Sequence, residues 1–167
     1  CATPRKVIIT ESVFSMDGDH APLDSIVRLR DAHDATVICD NAHSTLLFAP
    51  CKGVDVHIGT LSKAVGTQGG FIACSHTLRT WFLNAGRPYV FSTSLPVPLV
   101  AAARESFNVA KRQPERAQRV FAHAATLRQS LGMAADNTPI VPIILGDAQA
   151  TMEASHKLAR LGFHVPG

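Results

Sequence analysis

Short runs of consecutive apolar residues alternate with helical patterns over the first half of the chain. Five runs predict β-strands: Lys6–Thr10, Thr36–Asp40, Val54–Gly59, Gly70–Cys74 and Tyr89–Ser92. Their apolar residues are consecutive and do not alternate with polar ones, which is typical of strands covered on both faces. Between the first two runs, Leu23 and Ile26 follow Pro22 at helical spacing and predict a strand–helix–strand unit. The pattern therefore predicts an α/β domain with a mostly parallel sheet.

The second half of the chain is mainly helical. Ser75 is expected to cap a helix that ends at Gly86, and a longer helical stretch from Pro98 to Gly132 is interrupted at Pro114. A strand over 140–146 and a last helix follow. A long helical connector that leads into a new strand–helix unit indicates a second domain. We assign residues 1–111 to part of a large domain, and 112–167 to a connecting helix and the start of a small one, with both ends truncated.

Composition narrows the class of protein. The chain has 167 residues, 46% of them hydrophobic and 17% charged, with a formal net charge of +3. The basic residues are scattered, which disfavours nucleic-acid binding, and no apolar run approaches the roughly 20 residues of a membrane-spanning helix. Four cysteines without CxxC spacing favour reduced thiols. A cytoplasmic protein is expected, with an organellar matrix as the alternative.

The segment GTLSKAVGTQGG surrounds Lys63 with hydroxyl and glycine residues. A lysine in a loop is most often an ordinary surface residue. Here Thr60, Ser62 and Thr67 supply hydroxyls, and the glycines allow the backbone to approach a ligand closely. Such a turn can receive a phosphate, and burial between apolar strands is expected to make the Lys63 amine nucleophilic.

Asp40 ends an apolar run and is followed three residues later by His43. A strand-end aspartate often only caps a helix, but in an α/β sheet the carboxyl ends of strands are where ligands bind. The Asp40-x-x-His43 pair lacks the further ligands of a metal site, so we expect no metal. A carboxylate, an amine and hydroxyls are what pyridoxal phosphate requires: the amine forms a Schiff base with its aldehyde, and the carboxylate keeps its pyridine nitrogen protonated.

Two further segments place hydroxyls after predicted strands. FSMDGD carries Ser15, and FSTSLP carries Ser92, Thr93 and Ser94. Either segment alone is compatible with an ordinary turn. Together with Asp40 and Lys63 they predict polar residues along one edge of the sheet.

In this order and spacing, ESVFSMDGDHAPLDSIV, DNAHS, GTLSKAVGTQGGFIACS and RPYVFSTSLP closely resemble the α-oxoamine synthases. The resemblance implies fold type I, pyridoxal phosphate as cofactor, and the decarboxylative condensation of an amino acid with an acyl-CoA. It also implies a homodimer with a shared active site.

Carried over by motif, Lys63 would be the Schiff-base lysine and Asp40 the partner of the pyridine nitrogen. His43 would contact the cofactor's phenolic oxygen or the substrate. The other implied cofactor contacts are Ser15, Thr60 and Ser62, with Thr93 reaching the cofactor of a partner subunit.

The chain departs from the family pattern at two places. Asn41 stands where an acidic residue is usual, and the stretch between His43 and Val54 is short and lacks the expected glycine-rich loop. Within the family the resemblance favours alanine and pimeloyl-CoA as substrates, and the amino acid and acyl-CoA of another family member are the alternative. A non-catalytic or truncated fragment is the alternative from another class, although a scaffold has no need of Lys63, Asp40 and His43.

Overall fold

The computed structural model describes residues 4–167 and contains one four-stranded sheet over them. Its strands, in spatial order, are β1 (Lys6–Glu11), β2 (Ala35–Asp40), β3 (Val56–Thr60) and β4 (Gly70–Cys74). The first three are parallel, and β4 is antiparallel to β3. The predicted α/β fold with a mostly parallel sheet is therefore confirmed.

Helices occupy the connections and the C-terminal half. They are α1 (Leu23–His33), α2 (His76–Ala85), α3 (Arg87–Phe91), α4 (Val97–Arg112), α5 (Glu115–Ser130) and α6 (Ala148–Arg160). The predicted cap of α2 is confirmed, because Ser75 Oγ accepts a hydrogen bond from the Leu78 amide at 3.3 Å. Gly86 ends that helix as predicted.

The core lies under β2 and beneath the loop that follows β3. Val37 and Cys39 in β2 are fully buried. Leu61, Val65 and Ala103 form a cluster against which Phe71 and Phe107 pack. Because Ala103 and Phe107 belong to α4, this helix fixes the position of the loop that carries Lys63.

The edge strands of the sheet are partly exposed in this chain. Ile9 in β1 is 74% exposed and Ile72 in β4 is 52% exposed, whereas Val56 in β3 is buried. The expectation that the strands are covered on both faces is therefore wrong for β1 and β4 in the part of the chain that the structure describes.

Two predicted strands are not strands. Tyr89–Ser92 was expected to be extended, but Arg87–Phe91 forms the single-turn helix α3, with Pro88 in its first turn. Proline's fixed φ suits that position and outweighs the β-propensity of the aromatic residues. Residues 140–146 also lack a strand partner, and the side chain of Arg128 hydrogen bonds to the carbonyl oxygens of Thr138 and Ile140.

The C-terminal half contacts the loop after β1. Thr138 is buried, and Ile140 packs against Gly18 in the FSMDGD segment. Phe121 in α5 also packs edge-on against Phe48, with ring centroids 5.3 Å apart. The boundary at residue 112 coincides with the end of α4, and the assignment of two domains stays a prediction.

Candidate active site

The turn after β2 brings His43 back over the edge of the sheet. Asp40 ends β2, and its Oδ1 accepts a hydrogen bond from the Ala42 amide at 2.7 Å. The Ser44 and Thr45 amides both donate to the Asn41 carbonyl oxygen, which closes the turn. This local network holds the Asp40 carboxylate and the His43 ring at the carboxyl end of the parallel strands, where α/β proteins bind ligands.

Lys63 lies in a closed loop between β3 and β4. The Thr67 amide donates to the Leu61 carbonyl oxygen at 2.7 Å, and the Gly66 amide to the Lys63 carbonyl oxygen at 2.9 Å. Leu61 and Val65 turn inward and are buried, whereas the side chain of Lys63 is exposed. The expectation that strands bury the Lys63 amine is therefore wrong for this chain, because the inward positions of the loop are taken by its two neighbours.

The Lys63 amine and the His43 ring are in direct contact. Lys63 Nζ lies 2.9 Å from His43 Nε2. Burial lowers the pKa of His43, and the charge of Lys63 lowers it further, while the carboxylates of Glu11 and Asp40 act in the opposite direction. A neutral His43 accepts a hydrogen bond from a protonated Lys63 at this distance. The structure thus brings Asp40, His43 and Lys63 together at one sheet edge.

Two of the predicted phosphate-binding hydroxyls form a pair beside this group. Thr60 Oγ1 and Ser62 Oγ are 2.8 Å apart, at the end of β3 and the start of the lysine loop. Thr60 Oγ1 also lies within 3.4 Å of the Gly69 carbonyl oxygen. Their hydroxyl groups suit an anionic ligand, since each can turn its hydrogen toward an acceptor.

Ser15 and Thr93 are not joined to this group by any hydrogen bond found over residues 4–167. Ser15 is exposed in a loop that the Phe14 amide closes by donating to the Asp19 carbonyl oxygen at 2.9 Å. Thr93 is exposed two residues before Leu95, and Leu95 packs against Gly69 in the lysine loop. The cofactor contacts expected of Ser15 and Thr93 therefore stay predictions.

Sequence reasoning missed two features of the site. Glu11 ends β1 directly opposite Asp40, and a carboxylate immediately after the first apolar run was the available signal. Asn41 Nδ2 lies 3.1 Å from His57 Nδ1 and also donates to the Cys39 carbonyl oxygen. Burial lowers the pKa of His57. No sequence signal links Asn41 to His57, because the pairing depends on the register of β2 and β3.

Residues 4–167 contain no cluster of three or more histidine, cysteine, aspartate or glutamate residues able to hold a metal ion. Within the same range, every helix is too short or too polar to cross a membrane.

The sequence matches a known protein family and curated relatives. Residues 2–166 match the family described as aminotransferase class I and II. The chain is 39% identical over 178 residues to 8-amino-7-oxononanoate synthase 2 of Bacillus subtilis, covering 97% of this chain and 45% of that protein. It is 35% identical over 176 residues to 8-amino-7-oxononanoate synthase of Arabidopsis thaliana, covering 99% of this chain and 37% of that protein. The chain thus spans less than half the length of these two relatives.

Several solved structures share the fold of this chain. A serine palmitoyltransferase from S. paucimobilis, with a bound PLP–myriocin aldimine, has a TM-score of 0.88 and 31% identity, covering 98% of this chain and 47% of that chain. Serine palmitoyltransferase of Sphingomonas wittichii has a TM-score of 0.89 and 29% identity, covering 98% and 46%. An 8-amino-7-oxononanoate synthase from Francisella tularensis, 21% identical with a TM-score of 0.78 and coverage of 97% and 54%, shares the fold.

Proposed function

Because the chain belongs to the family of class I and II aminotransferases, we propose that its protein is a pyridoxal-phosphate-dependent acyltransferase of the α-oxoamine synthase type. The proposed reaction is the condensation of alanine with pimeloyl-CoA to 8-amino-7-oxononanoate, a step of biotin biosynthesis, as the names of the curated relatives suggest. One observation carries the proposal. The Lys63 amine is hydrogen bonded to His43 at 2.9 Å, beside the strand-end carboxylate of Asp40.

The side chains present fit pyridoxal phosphate. The Asp40 carboxylate has one oxygen held by the Ala42 amide, so the rest of the group can accept a proton-bearing ring nitrogen. The Thr60–Ser62 hydroxyl pair, 2.8 Å apart, supplies donors for the phosphate. When bound, pyridoxal phosphate supplies an electron sink that stabilises negative charge at the substrate's α-carbon.

In this proposal each residue of the chain has a distinct task. Lys63 holds the cofactor covalently and moves a proton at the α-carbon of the amino acid. His43 receives the hydrogen bond of the lysine amine and orients it toward the reacting atom. Asp40 keeps the proton on the pyridine nitrogen, since a carboxylate stabilises an adjacent cation.

Further contacts complete the proposed assembly. Ser15 is proposed as a cofactor contact, and Thr93 as a contact to the cofactor of the partner subunit in a homodimer. Thr93 is exposed here, which suits a residue that reaches across to another subunit. The proposed compartment is the cytoplasm or an organellar matrix.

A second candidate function has support of its own. Serine palmitoyltransferases, at 29–31% identity and TM-scores of 0.88–0.89, match the fold of this chain closely. The full-length protein supplied with alanine and pimeloyl-CoA, or with serine and palmitoyl-CoA, separates the two candidates by the rate of CoA release. Preference for the serine pair would overturn the biotin-pathway assignment, and release with neither pair would favour a non-catalytic or truncated family member.

The proposal is tested most directly at Lys63. Full-length protein reconstituted with pyridoxal phosphate should be yellow, and borohydride should bleach the colour and leave the pyridoxyl mass on the peptide that contains Lys63. Lys63→Ala should abolish both the covalent label and turnover, while non-covalent binding through the phosphate can persist.

Lys52→Ala is the matched control, because Lys52 is also an exposed loop lysine but lies before β3. It should keep both the label and turnover. Labelling at Lys6, Lys52, Lys111 or Lys157, or continued turnover by Lys63→Ala, would overturn the proposal.

A further inference from the structure

The hydroxyl of Ser106 in α4 donates to the lysine loop, residues 61–69, and not to its own helix. Serine and threonine side chains inside helices commonly donate to the carbonyl oxygen four residues earlier. In α5, the hydroxyls of Thr126 and Ser130 do so. Ser106 instead donates to the Val65 carbonyl oxygen at 2.7 Å, 41 residues earlier in the chain. This hydrogen bond therefore stabilises the loop.

The Ser106 hydroxyl acts on a single peptide group. The Val65 carbonyl and the Gly66 amide belong to the same planar unit, so fixing the direction of one fixes the direction of the other. The Gly66 amide donates to the Lys63 carbonyl oxygen at 2.9 Å. Ser106 thus binds one end of the peptide group whose other end closes the turn at Lys63.

Glycine at position 66 leaves this peptide group free to rotate. Gly66 has a φ of +75°, and a Cβ there would have no atom within 4 Å. Glycine adopts positive and negative φ about equally well, so its own preference does not hold the turn. A rotation of the Val65–Gly66 peptide would take the amide away from the Lys63 carbonyl oxygen. The turn therefore needs a contact from outside the loop, and Ser106 supplies one.

The lysine loop has few hydrogen bonds to the rest of the chain. Over residues 4–167, two of them join the loop to elements other than the adjoining strands β3 and β4. One is the contact of Lys63 with His43 at 2.9 Å, on which the proposed function depends. The other is the bond from Ser106 to Val65. Because the two bonds attach two residues apart, the second fixes the backbone from which the lysine side chain extends.

Packing brings the Ser106 hydroxyl to its partner. Ala103 lies one helical turn before Ser106 on the same face of α4 and packs in one cluster with Val65. Val65 is itself buried. Without the hydroxyl, its carbonyl oxygen would lose a donor in a poorly solvated place, which is unfavourable. Loss of the hydroxyl therefore favours rotation of the peptide group.

We propose that Ser106 is a positioning residue for Lys63: its hydroxyl locks the Val65–Gly66 peptide group in the orientation that closes the turn, and so holds the lysine amine where it meets His43 and the cofactor. The inference rests on the proposed function, because the place of the amine matters for chemistry only if Lys63 reacts with an aldehyde.

The first test measures residue-resolved amide hydrogen exchange in the full-length protein without cofactor, for the parent, Ser106→Ala and the matched control Ser130→Ala. Both variants remove a helical hydroxyl that donates to a backbone carbonyl oxygen. Alanine favours a helix more than serine does, so both proteins should fold. In Ser106→Ala the Gly66 amide should exchange about fivefold faster, the effect of one ordinary hydrogen bond. The Leu61 amide, which closes the base of the loop at 2.8 Å from the Gly69 carbonyl oxygen, should keep its rate.

The Leu61 amide separates a local role from a general one. If Ser106 merely stabilised the fold, its loss would speed both amides by the same factor. That result, or an unchanged rate at Gly66, would overturn the inference. The control should leave both rates at the parent's values, and faster exchange at Gly66 in Ser130→Ala would count against it as well.

Ser106→Thr keeps a hydroxyl at this position. Its Gly66 amide should exchange at the parent's rate. Exchange as fast as in Ser106→Ala would show that the hydroxyl does not hold the peptide group, and the inference would fail.

The second test measures how fast the yellow complex forms when pyridoxal phosphate is added at a fixed pH. Formation should be about fivefold slower in Ser106→Ala, by the same reasoning, and unchanged in Ser130→Ala. A parent-like rate in Ser106→Ala would overturn the inference. If the parent itself forms no yellow complex, the proposed function fails, while the exchange rate of Gly66 still decides whether Ser106 fixes the loop.

Discussion

Gly18 is the position where one added methyl group should perturb the fold most predictably. It lies in the FSMDGD loop with a φ of +75°, a conformation that costs a residue with a side chain about 1–2 kcal/mol. A Cβ at this position would lie 2.9 Å from Ile140 Cβ and 3.2 Å from Thr138 Cγ2. Both neighbours are themselves fixed, because Arg128 hydrogen bonds to the carbonyl oxygens of their residues.

The packing conflict adds to the conformational cost. Forcing an extra methyl group into a packed site typically costs about 1–3 kcal/mol. Gly18→Ala should therefore lower the free energy of unfolding by about 2–5 kcal/mol, the sum of the two effects. Gly132 separates them: its φ is +67°, and a Cβ there would have no atom within 4 Å. Gly132→Ala should cost only the conformational part, about 1–2 kcal/mol.

The assay is urea unfolding of the full-length protein, followed by circular dichroism, for the parent and both variants. The difference between Gly18→Ala and Gly132→Ala measures the contact between the FSMDGD loop and residues 138–140. If Gly18→Ala costs no more than Gly132→Ala, the two segments do not pack as described. The C-terminal half would then not hold the loop that carries Ser15.

Three further predictions concern single residues. Asp40→Asn should leave the cofactor bound but reduce turnover by more than about tenfold, which is roughly 1.4 kcal/mol in the barrier. The reason is that a neutral amide does not keep the pyridine nitrogen protonated. A turnover rate within tenfold of the parent in steady-state kinetics would contradict this role of Asp40. Thr93→Val should weaken retention of pyridoxal phosphate by the dimeric full-length protein on dialysis, and unchanged retention would remove Thr93 from the site. Burial lowers the pKa of His57 below its ordinary value of 6.5, so the folded state binds fewer protons and the free energy of unfolding should fall as pH falls below about 6.5. His57→Gln should flatten that slope in urea unfolding at pH 5 to 7.5, and an equally steep slope would argue against a buried neutral ring.

The sequence predicts those strands and helix ends that depend mainly on neighbouring residues in the chain. The apolar runs that give β1, β2 and β4 are short and are followed by polar residues, so their positions can be identified from the sequence. Ser75 and Gly86 mark the ends of α2 because caps are local chemistry. The start of β3, by contrast, depends on contacts with residues that are distant in the chain. Asp55 receives hydrogen bonds from the Val37 amide and from Arg30, so it belongs to a tertiary contact, and the strand begins only at Val56.

Non-local contacts explain two of the predictions that are wrong, those for residues 140–146 and for the burial of Lys63. Residues 140–146 have the composition of a strand, but the backbone oxygens of Thr138 and Ile140 bind the buried Arg128. The exposure of Lys63 follows from the inward packing of Leu61 and Val65 against α4, which the glycine-rich sequence of the loop does not reveal. The sequence identifies Asp40, His43 and Lys63 as candidate site residues. Their hydrogen bonds and their exposure depend on neighbours that are distant in the chain.

Asn41 shows how a departure from the family pattern is accommodated. Successive residues at the end of a strand point to opposite faces of the sheet, so Asn41 faces away from Asp40 and toward His57. Its amide donates to the Cys39 carbonyl oxygen and lies 3.1 Å from His57 Nδ1. An acidic side chain has no hydrogen to donate to either atom unless it is protonated. The Asn41 amide therefore gives the Cys39 carbonyl oxygen a donor that an ionised carboxylate does not supply. The negative charge of this sheet edge then remains with Asp40 and Glu11, which are register partners at the ends of β2 and β1.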